Sequence, residues 1–431
     1  MNFAEARKCI DSLNRFGSVL GLDNIKELLL RLDNPQDKIK VIHVAGTNGK
    51  GSTIAYLSSI LKEAGYTVGK YTSPVVFEYL EKYQINDINI SEEAFSSLAG
   101  KVLQAVNQMV AEGKGQPTIF EVETAMAYLF FYESGCDMAI IETGMGGDMD
   151  ATNVCSKVLL SVIVSVSLDH TGFLGGTLSE IASHKAGIIK KGCPVVLYGQ
   201  SHEVTSVVRK YAEEMKAPLI IAKTDKVYTM PMTYETSTGT VYEGIEPSLA
   251  GVHQVKNVCT VLEMVEQIKK QGFQISRDAV TKGIKSTVWH GRFEKICEAP
   301  LIIIDGAHNP GAVAELKATL EKDYADTSFI FIMGVLADKD FSTEIAMMSD
   351  WLRYVITVTP HNPRALSADE LAKTIEATVA ESTVSVAASI EEAVEKAVKL
   401  YSELHGKRAI LAFGSLSYLG QLKHYVEKIE W

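Results

Sequence analysis

The ten residues Val44-Ala45-Gly46-Thr47-Asn48-Gly49-Lys50-Gly51-Ser52-Thr53 have the types and spacing needed to hold a nucleoside triphosphate. Glycines let main-chain N–H groups approach phosphate oxygens, and a helix start converges more of them on the same point. Lys50 offers a mobile cation for the outer phosphates, and Ser52 or Thr53 a hydroxyl near a magnesium ion. The general phosphate-loop pattern is met with two departures: Val44 stands where it has glycine, and Gly51 where it has Ser or Thr.

Other polar clusters follow apolar runs. Met138–Ile141 leads into Glu142-Thr143-Gly144-Met145-Gly146-Gly147-Asp148-Met149-Asp150-Ala151-Thr152-Asn153. Val162–Val166 leads into Ser167-Leu168-Asp169-His170-Thr171, and Thr67–Tyr71 into Thr72-Ser73-Pro74. A carboxylate, an imidazole and a hydroxyl on neighbouring strand ends beside a phosphate loop could together hold magnesium bridging to phosphates. Taken singly, Glu142 reads almost equally well as a cap and His170 as a hydrogen-bonded loop histidine. Nearer the C-terminus, Leu301–Ile304 ends in Asp305-Gly306-Ala307-His308-Asn309-Pro310, which suits a ribose, phosphate or reacting-group contact or a plain Asn-Pro turn. Val335–Asp340 and Gly414-Ser415-Leu416-Ser417 are similarly polar, and solvated turns explain them as well.

The elements that must position these residues follow from periodicity. Residues 1–39 read as helical. Strands are expected at Lys40–Ala45, Thr67–Tyr71, Met138–Glu142, Val162–Val166 and Pro194–Tyr198, alternating with helices Ser52–Ala64, Ser91–Glu112, Glu121–Glu133, Thr177–Ile189 and His202–Met215. Such alternation predicts an α/β fold with a mostly parallel sheet and helices on both faces. Val227-Tyr228-Thr229, Ser237–Thr240 and Val241-Tyr242 suggest a hairpin, followed by a helix from Gln254 to Lys269. A second alternating series from Pro300 to the C-terminus predicts a doubly wound, Rossmann-like domain. Arg292–Pro300 reads as the linker. The expected division is an N-terminal phosphate-loop ATPase-type domain over 1–296 and a C-terminal domain over 297–431.

A chain of 431 residues exceeds one comfortable core, which agrees with two domains. A net charge of −11 argues against nucleic acid or anionic lipid as partner, and it obliges an anionic substrate to find a local cationic pocket. Cys9, Cys136, Cys155, Cys193, Cys259 and Cys297 lack metal spacing and are expected as reduced thiols. No secretory signal or membrane-spanning run is visible, so the cytoplasm is the expected location.

In this order, the landmarks resemble the folylpolyglutamate synthase/dihydrofolate synthase family, a branch of the Mur-type ATP-dependent peptide ligases. The likeness rests on His43–Ser52, Thr72-Ser73-Pro74, Phe120-Glu121, Gly146-Gly147 with Asp150–Asn153, Leu168–Thr171 and His184–Lys190. Gly251–Gln254 with Asn257, Trp289–Arg292, Asp305–Pro310 and Gly414–Leu416 complete it.

The resemblance implies that Thr47, Asn48, Gly49, Lys50 and Gly51 cradle the phosphates, with Ser52 at the loop's end. It implies that Ser73, Glu142 and His170 serve two Mg²⁺ ions, and that a carbamylated Lys185 helps hold the second. Asn257, Arg292 and Asp305 would bind the nucleotide between domains, His308 would stand near the transferring phosphoryl group, and Phe120, Glu121 and Asp150 would meet the pterin or folate. The implied substrates are ATP, L-glutamate and a folate or dihydropteroate. ATP would turn the acceptor carboxylate into an acyl phosphate for glutamate to attack, with domain closure excluding water. A monomer is expected.

Three positions depart from the family. Asp148 stands where relatives usually carry Arg or Lys, Val75 replaces a common histidine, and Lys82 a common arginine. These bear on the acceptor more than on the ATP machinery. A Mur-type ligase for a different carboxylate is the alternative, but only about 40 residues precede the first strand, too few for the extra domain of cell-wall ligases. A guanine-nucleotide switch would need an Asn-Lys-x-Asp motif, which Asp338-Lys339-Asp340 does not supply.

Overall fold

Every residue of Val41-Ile42-His43-Val44-Ala45 is buried, so this strand lies inside a sheet covered on both faces. The structure, a computed structural model, describes residues 1–13, 21–224, 226 and 229–429. The chain divides into two compact units: Met1–Ser73 with Tyr79–Ser248 and Val255–Thr287, and Pro74–Glu78 with Leu249–Gln254 and Val288–Trp431.

In the first unit, β1 (Val41–Ala45), β2 (Val68–Tyr71), β3 (Tyr83–Ile85), β4 (Ile88–Asn89), β5 (Met138–Glu142), β6 (Leu160–Ile163), β7 (Val195–Leu197) and β8 (Leu219–Ile221) form a sheet of order β4-β3-β2-β5-β1-β6-β7-β8. From β2 to β8 the pairing is parallel, and β3 and β4 add an antiparallel edge. That edge was not expected, although Asn86-Asp87, both at positive φ, is a recognisable hairpin turn.

The helices are α1 (Phe3–Asp11), α2 (Asp23–Arg31), α3 (Lys50–Glu63), α4 (Glu92–Ala111), α5 (Ile119–Glu133), α6 (Thr171–Leu174), α7 (Leu178–Ala186), α8 (His202–Glu214), α9 (Val252–Lys270) and α10 (Arg277–Ser286). Strand alternation assigns them to faces. Val41, Ala139 and Ile141 cluster with apolar side chains of α1, α2, α4 and α5, and Ala45, Ile163, Val195 and Leu197 with those of α7 and α8. Ile42, Val44, Ile140 and Val162 point the other way, where α3 lies against β1, β2 and β5. Helix α10 presses on α3 so closely that a Cβ on Gly283 would sit 2.5 Å from Ile60 Cα.

The hairpin of β9 (Met232–Glu235) and β10 (Val241–Ile245) turns through Gly239 at φ +81. Its expected start at Val227 and Tyr228 lies outside the described residues. The expected strand Val162–Val166 ends early, at Ile163, because the chain then leaves the parallel ladder for the Asn48–Ser165 bridge.

In the second unit, β11 (Glu294–Glu298), β12 (Leu301–Ile304), β13 (Ser328–Met333), β14 (Tyr354–Thr357), β15 (Thr383–Val386) and β16 (Arg408–Phe413) take the order β11-β12-β16-β13-β14-β15. Here the linker reading of Arg292–Pro300 fails. β11 occupies it, pairing antiparallel with β12, and the expected boundary at 296 and 297 falls within that strand. The other pairs are parallel. Phe329, Phe331, Met333, Leu411 and Phe413 face α11 (Pro310–Asp323), α12 (Phe341–Met347) and α13 (Ala368–Thr378). Ile330, Ile332, Ile410 and Ala412 face α14 (Ile390–Glu403) and α15 (Leu419–Val426). Both units are therefore α/β layers with two covered faces. None of the described helices is long and apolar enough to cross a membrane, and all six cysteines are free thiols.

Candidate active site

The sheet order puts the C-terminal ends of β2, β5, β1 and β6 side by side. Ser73, Glu142, the glycine-rich loop and the Ser165–His170 stretch issue from those four ends, the edge at which open parallel sheets bind ligands.

The loop passes β6 at Gly46, where a Cβ would sit 2.1 Å from Val164 Cγ2, so a larger residue is excluded. Thr47 N–H donates to Ser165 O at 2.7 Å. The Thr47 hydroxyl donates to Ser167 O and accepts from Ser167 N–H, both at 3.1 Å. Ser165 Oγ donates to Asn48 O at 3.0 Å, and Asn48 Nδ2 to Ser167 Oγ at 3.2 Å. The spacing of Ser165 and Ser167 in the sequence gives no sign of these braces.

Gly49 is the N-cap of α3 at φ +84, and a Cβ there would approach Asn257 Oδ1 of α9 to 2.9 Å. Gly49 has no side chain with which to cap α3. Ser91, Thr118, Thr177, Ser201, Ser276, Asn309, Ser367 and Ser389 each cap the helix that follows them. An uncapped helix start behind a left-handed glycine is a place for an anion. Gly51 and the buried Ser52 lie in the first turn of α3. Lys50 Nζ donates to Gly46 O and Thr47 O, both at 3.2 Å, and lies 3.6 Å from Glu142 Oε1. The other Glu142 oxygen accepts Ser73 N–H at 3.2 Å.

Ser73, Glu142 and Lys50 are thus brought together. His170 begins α6 at φ +51, its Nε2 4.0 Å from Asp169 Oδ2. No group of three or more His, Cys, Asp or Glu among the described residues has metal-holding geometry. One buried carboxylate beside a serine still suits Mg²⁺, which takes one or two carboxylates and completes its shell with water and substrate phosphate oxygens.

Lys185, near the end of α7, is only 3% exposed. Burial, then the charge of Lys50, pulls its ammonium down to about 7 against the opposing effect of Asp169 and Asp150. A substantial share is therefore the neutral amine near neutral pH.

The residues expected at a folate are placed unequally. Phe120 is half-buried against Gly144, whose Cβ would meet its ring at 2.6 Å. Glu121 is buried in a capping box, its Oε2 taking Thr118 N–H at 2.7 Å and Oγ1–H at 2.9 Å, and burial pushes its carboxyl up. Asp150 closes its own loop, accepting Met145 N–H at 2.8 Å and Thr152 N–H at 3.0 Å, with burial again raising its pKa. The Thr152 hydroxyl donates to Asp150 Oδ1, so His43 Nε2, 2.8 Å from Thr152 Oγ1, must be the donor there. Burial, aided by Lys190, holds His43 neutral with a pKa of about 3. This His43–Thr152–Asp150 chain escaped the sequence reading.

Two of the departures find partners. Lys82 Nζ and Tyr79 Oη both donate to the buried Glu123 Oε1 at 2.6 Å. Asp148 binds His184 Nδ1 with both carboxylate oxygens at 3.0 Å. Nothing in the structure explains Val75.

In the second unit, Asp305 follows β12 and accepts Phe293 N–H and Ala307 N–H, both at 2.8 Å. Burial raises its carboxyl against the charge of Arg292. His308 Nδ1 lies 2.7 Å from Gly306 O. A carbonyl can only accept, so Nδ1 carries a proton. Asn309 caps α11 through Ala312 N–H at 2.9 Å, with Pro310 at its first position.

Residues 44–265 match the Mur ligase middle domain, and residues 291–416 the Mur ligase glutamate ligase domain. The dihydrofolate synthase/folylpolyglutamate synthase of Bacillus subtilis is 37% identical over 378 residues, covering 86% of this chain and 88% of that protein. The Mycobacterium tuberculosis folylpolyglutamate synthase complexed with ADP and AMPPCP superposes with a TM-score of 0.90 at 26% identity, covering 100% of both chains. The Escherichia coli FolC structure in complex with DHPP and ADP has a TM-score of 0.85 at 27% identity, covering 99% of this chain and 97% of that one. The chain belongs to the folylpolyglutamate synthase/dihydrofolate synthase family of Mur ligases.

Proposed function

We propose that this chain is an ATP-dependent ligase that joins the amine of L-glutamate to a folate carboxylate through an acyl phosphate, elongating tetrahydrofolates, with dihydropteroate as a second acceptor to be tested. The observation that carries this reading is the Lys50–Glu142 pair at the uncapped start of α3. A carboxylate is a poor acyl donor because oxide would have to leave, and transfer of the terminal phosphoryl group to it supplies a better leaving group.

In this reading Thr47, Asn48, Gly49, Gly51 and Ser52 direct main-chain and hydroxyl donors at the phosphates. Lys50 exchanges its loop carbonyls for the outer phosphate oxygens and neutralises the charge that builds there. Ser73, Glu142 and His170 would hold Mg²⁺, which would neutralise charge on the outer phosphates. A neutral Lys185 amine is nucleophilic enough to add to CO₂, and with loss of a proton from its nitrogen to solvent the resulting carbamate would add an anion on the side of Asp169 and Asp150. Asn257, Arg292 and Asp305 would bind the nucleotide, and His308 would stand near the transferring phosphoryl group. Phe120 offers a ring for the pterin, whereas Glu121 and Asp150 shape the pocket by holding their loops.

The test is phosphate release from ATP with Mg²⁺ and L-glutamate, offering tetrahydrofolate, dihydropteroate and polyglutamylated folates in turn. Release that requires both glutamate and a folate acceptor is expected. Release with none of the acceptors, or without dependence on glutamate, would overturn the assignment.

A further inference from the structure

The loop after β5 and the last turn of α7 are fastened together around Lys185. Asp148 N–H donates to His184 O at 2.9 Å, and the Asp148 carboxylate takes His184 Nδ1 at 3.0 Å. Asn153 Nδ2 reaches both sides of the seam, donating to Asp148 O and Gly187 O at 3.1 Å. No space is left between them. A Cβ on Gly147 would sit 2.6 Å from His184 O, and one on Gly187 2.3 Å from Asp148 Cβ.

Lys185 lies between these anchor points, buried, with no hydrogen bond or ion pair to its Nζ among the described residues. Its place is therefore set by its main chain, and its main chain by the seam. The main-chain bonds of the seam are available to any residue at 148. The side-chain contact to His184 needs an acceptor of aspartate length, which neither lysine nor arginine provides.

We propose that Asp148, acting through His184, is a positioning residue for Lys185 and so for the chemical step. The proposal rests on the reading that Lys185 works in the ligation. Losing the Asp148–His184 contact leaves the loop attached but lets the last turn of α7 shift, and a misplacement of about 1 Å can cost on the order of 10²-fold in rate.

The experiment compares Asp148→Ala, Asp148→Asn, Lys185→Ala and the Asp148→Ala/Lys185→Ala pair. Folding is checked by thermal melting, and ligation is read in steady state and in single turnover with enzyme in excess. Asp148→Ala is expected to lower kcat about 10-fold or more while KM for ATP stays within about twofold. Asp148→Asn, which keeps an acceptor for His184, should retain most of the rate. In the Lys185→Ala background, Asp148→Ala should cost nothing further. A loss of the same size in both backgrounds, a loss confined to KM, or no difference between the Ala and Asn variants would overturn the positioning role while leaving Lys185 in the reaction. Full activity of Lys185→Ala would instead remove Lys185 from the mechanism, and the proposal with it.

Discussion

Lys50 Nζ stands 3.6 Å from Glu142 Oε1 while its hydrogen bonds go to carbonyls of its own loop. The cation is parked on weak, replaceable acceptors beside a fixed anion. Lys50→Ala should therefore abolish glutamate-dependent phosphate release, by on the order of 10³-fold, with the melting temperature nearly unchanged. Turnover within tenfold of the parent would remove Lys50 from phosphate handling.

Lys185 makes a chemical rescue possible. Lys185→Ala leaves a buried space where a carbamate would project, and formate or acetate should recover part of the lost rate with saturating dependence on the added anion. Kinetics of the variant at rising acetate, against chloride at equal ionic strength, check it. A variant with lost activity and no response to any short carboxylate would rule out the carbamate while keeping the lysine.

The buried Lys82–Glu123 contact at 2.6 Å is an internal ion pair. Without Lys82 the buried Glu123 carboxylate keeps the Tyr79 hydroxyl but loses its counter-charge, so Lys82→Met should destabilise the fold by about 3–5 kcal/mol, whereas Lys82→Met/Glu123→Leu should recover most of that loss. Urea melts of both variants are the measurement. A neutral single variant would show that the pair contributes nothing.

The hairpin β9–β10 is held to α9 by hydroxyl groups. Tyr242 Oη, Thr238 Oγ1 and Thr240 Oγ1 each donate to Glu266 at 2.7 Å, and Lys269 Nζ does so at 2.8 Å. Burial alone would raise that carboxyl, but the bonds from Lys269, Tyr242, Thr238 and Thr240 outweigh it and bring it from 4.5 to about 2. A carboxylate with a depressed native pKa contributes stability that is complete above its unfolded value and lost as pH falls through the native one. Amide exchange across 232–245 should therefore speed up relative to the core as pH drops from 4.5 towards 2. Glu266→Gln should flatten that pH dependence, and an unchanged slope in the variant would assign the effect elsewhere.

The elements around the phosphate loop were legible because β1 is a continuous apolar run and α3 has apolar residues at helical spacing, and Gly49 marks the turn between them. β11 was not, because Glu294-Lys295-Ile296-Cys297-Glu298 is a partly exposed edge strand whose composition resembles a linker. Within the site, Glu142 was legible from its place at the end of an apolar run. The braces from Ser165 and Ser167 were not, since hydroxyl-to-main-chain bonds between distant segments leave no periodic trace. Likewise, the capping role of Glu121 was written in Thr118-Ile119-Phe120-Glu121, but the resemblance drew attention to a ligand instead.

Gly49 lies against the amide of Asn257, a residue that reaches the loop only after both the large sheet and the hairpin have been threaded. The surroundings of the glycine-rich loop are thus completed by one of the later segments of the first unit to be synthesised. Contacts so distant in the chain close slowly. A nascent chain would display strand, turn and helix well before it could grip a triphosphate, and acquisition of affinity would report on the docking of α9 rather than on the loop itself.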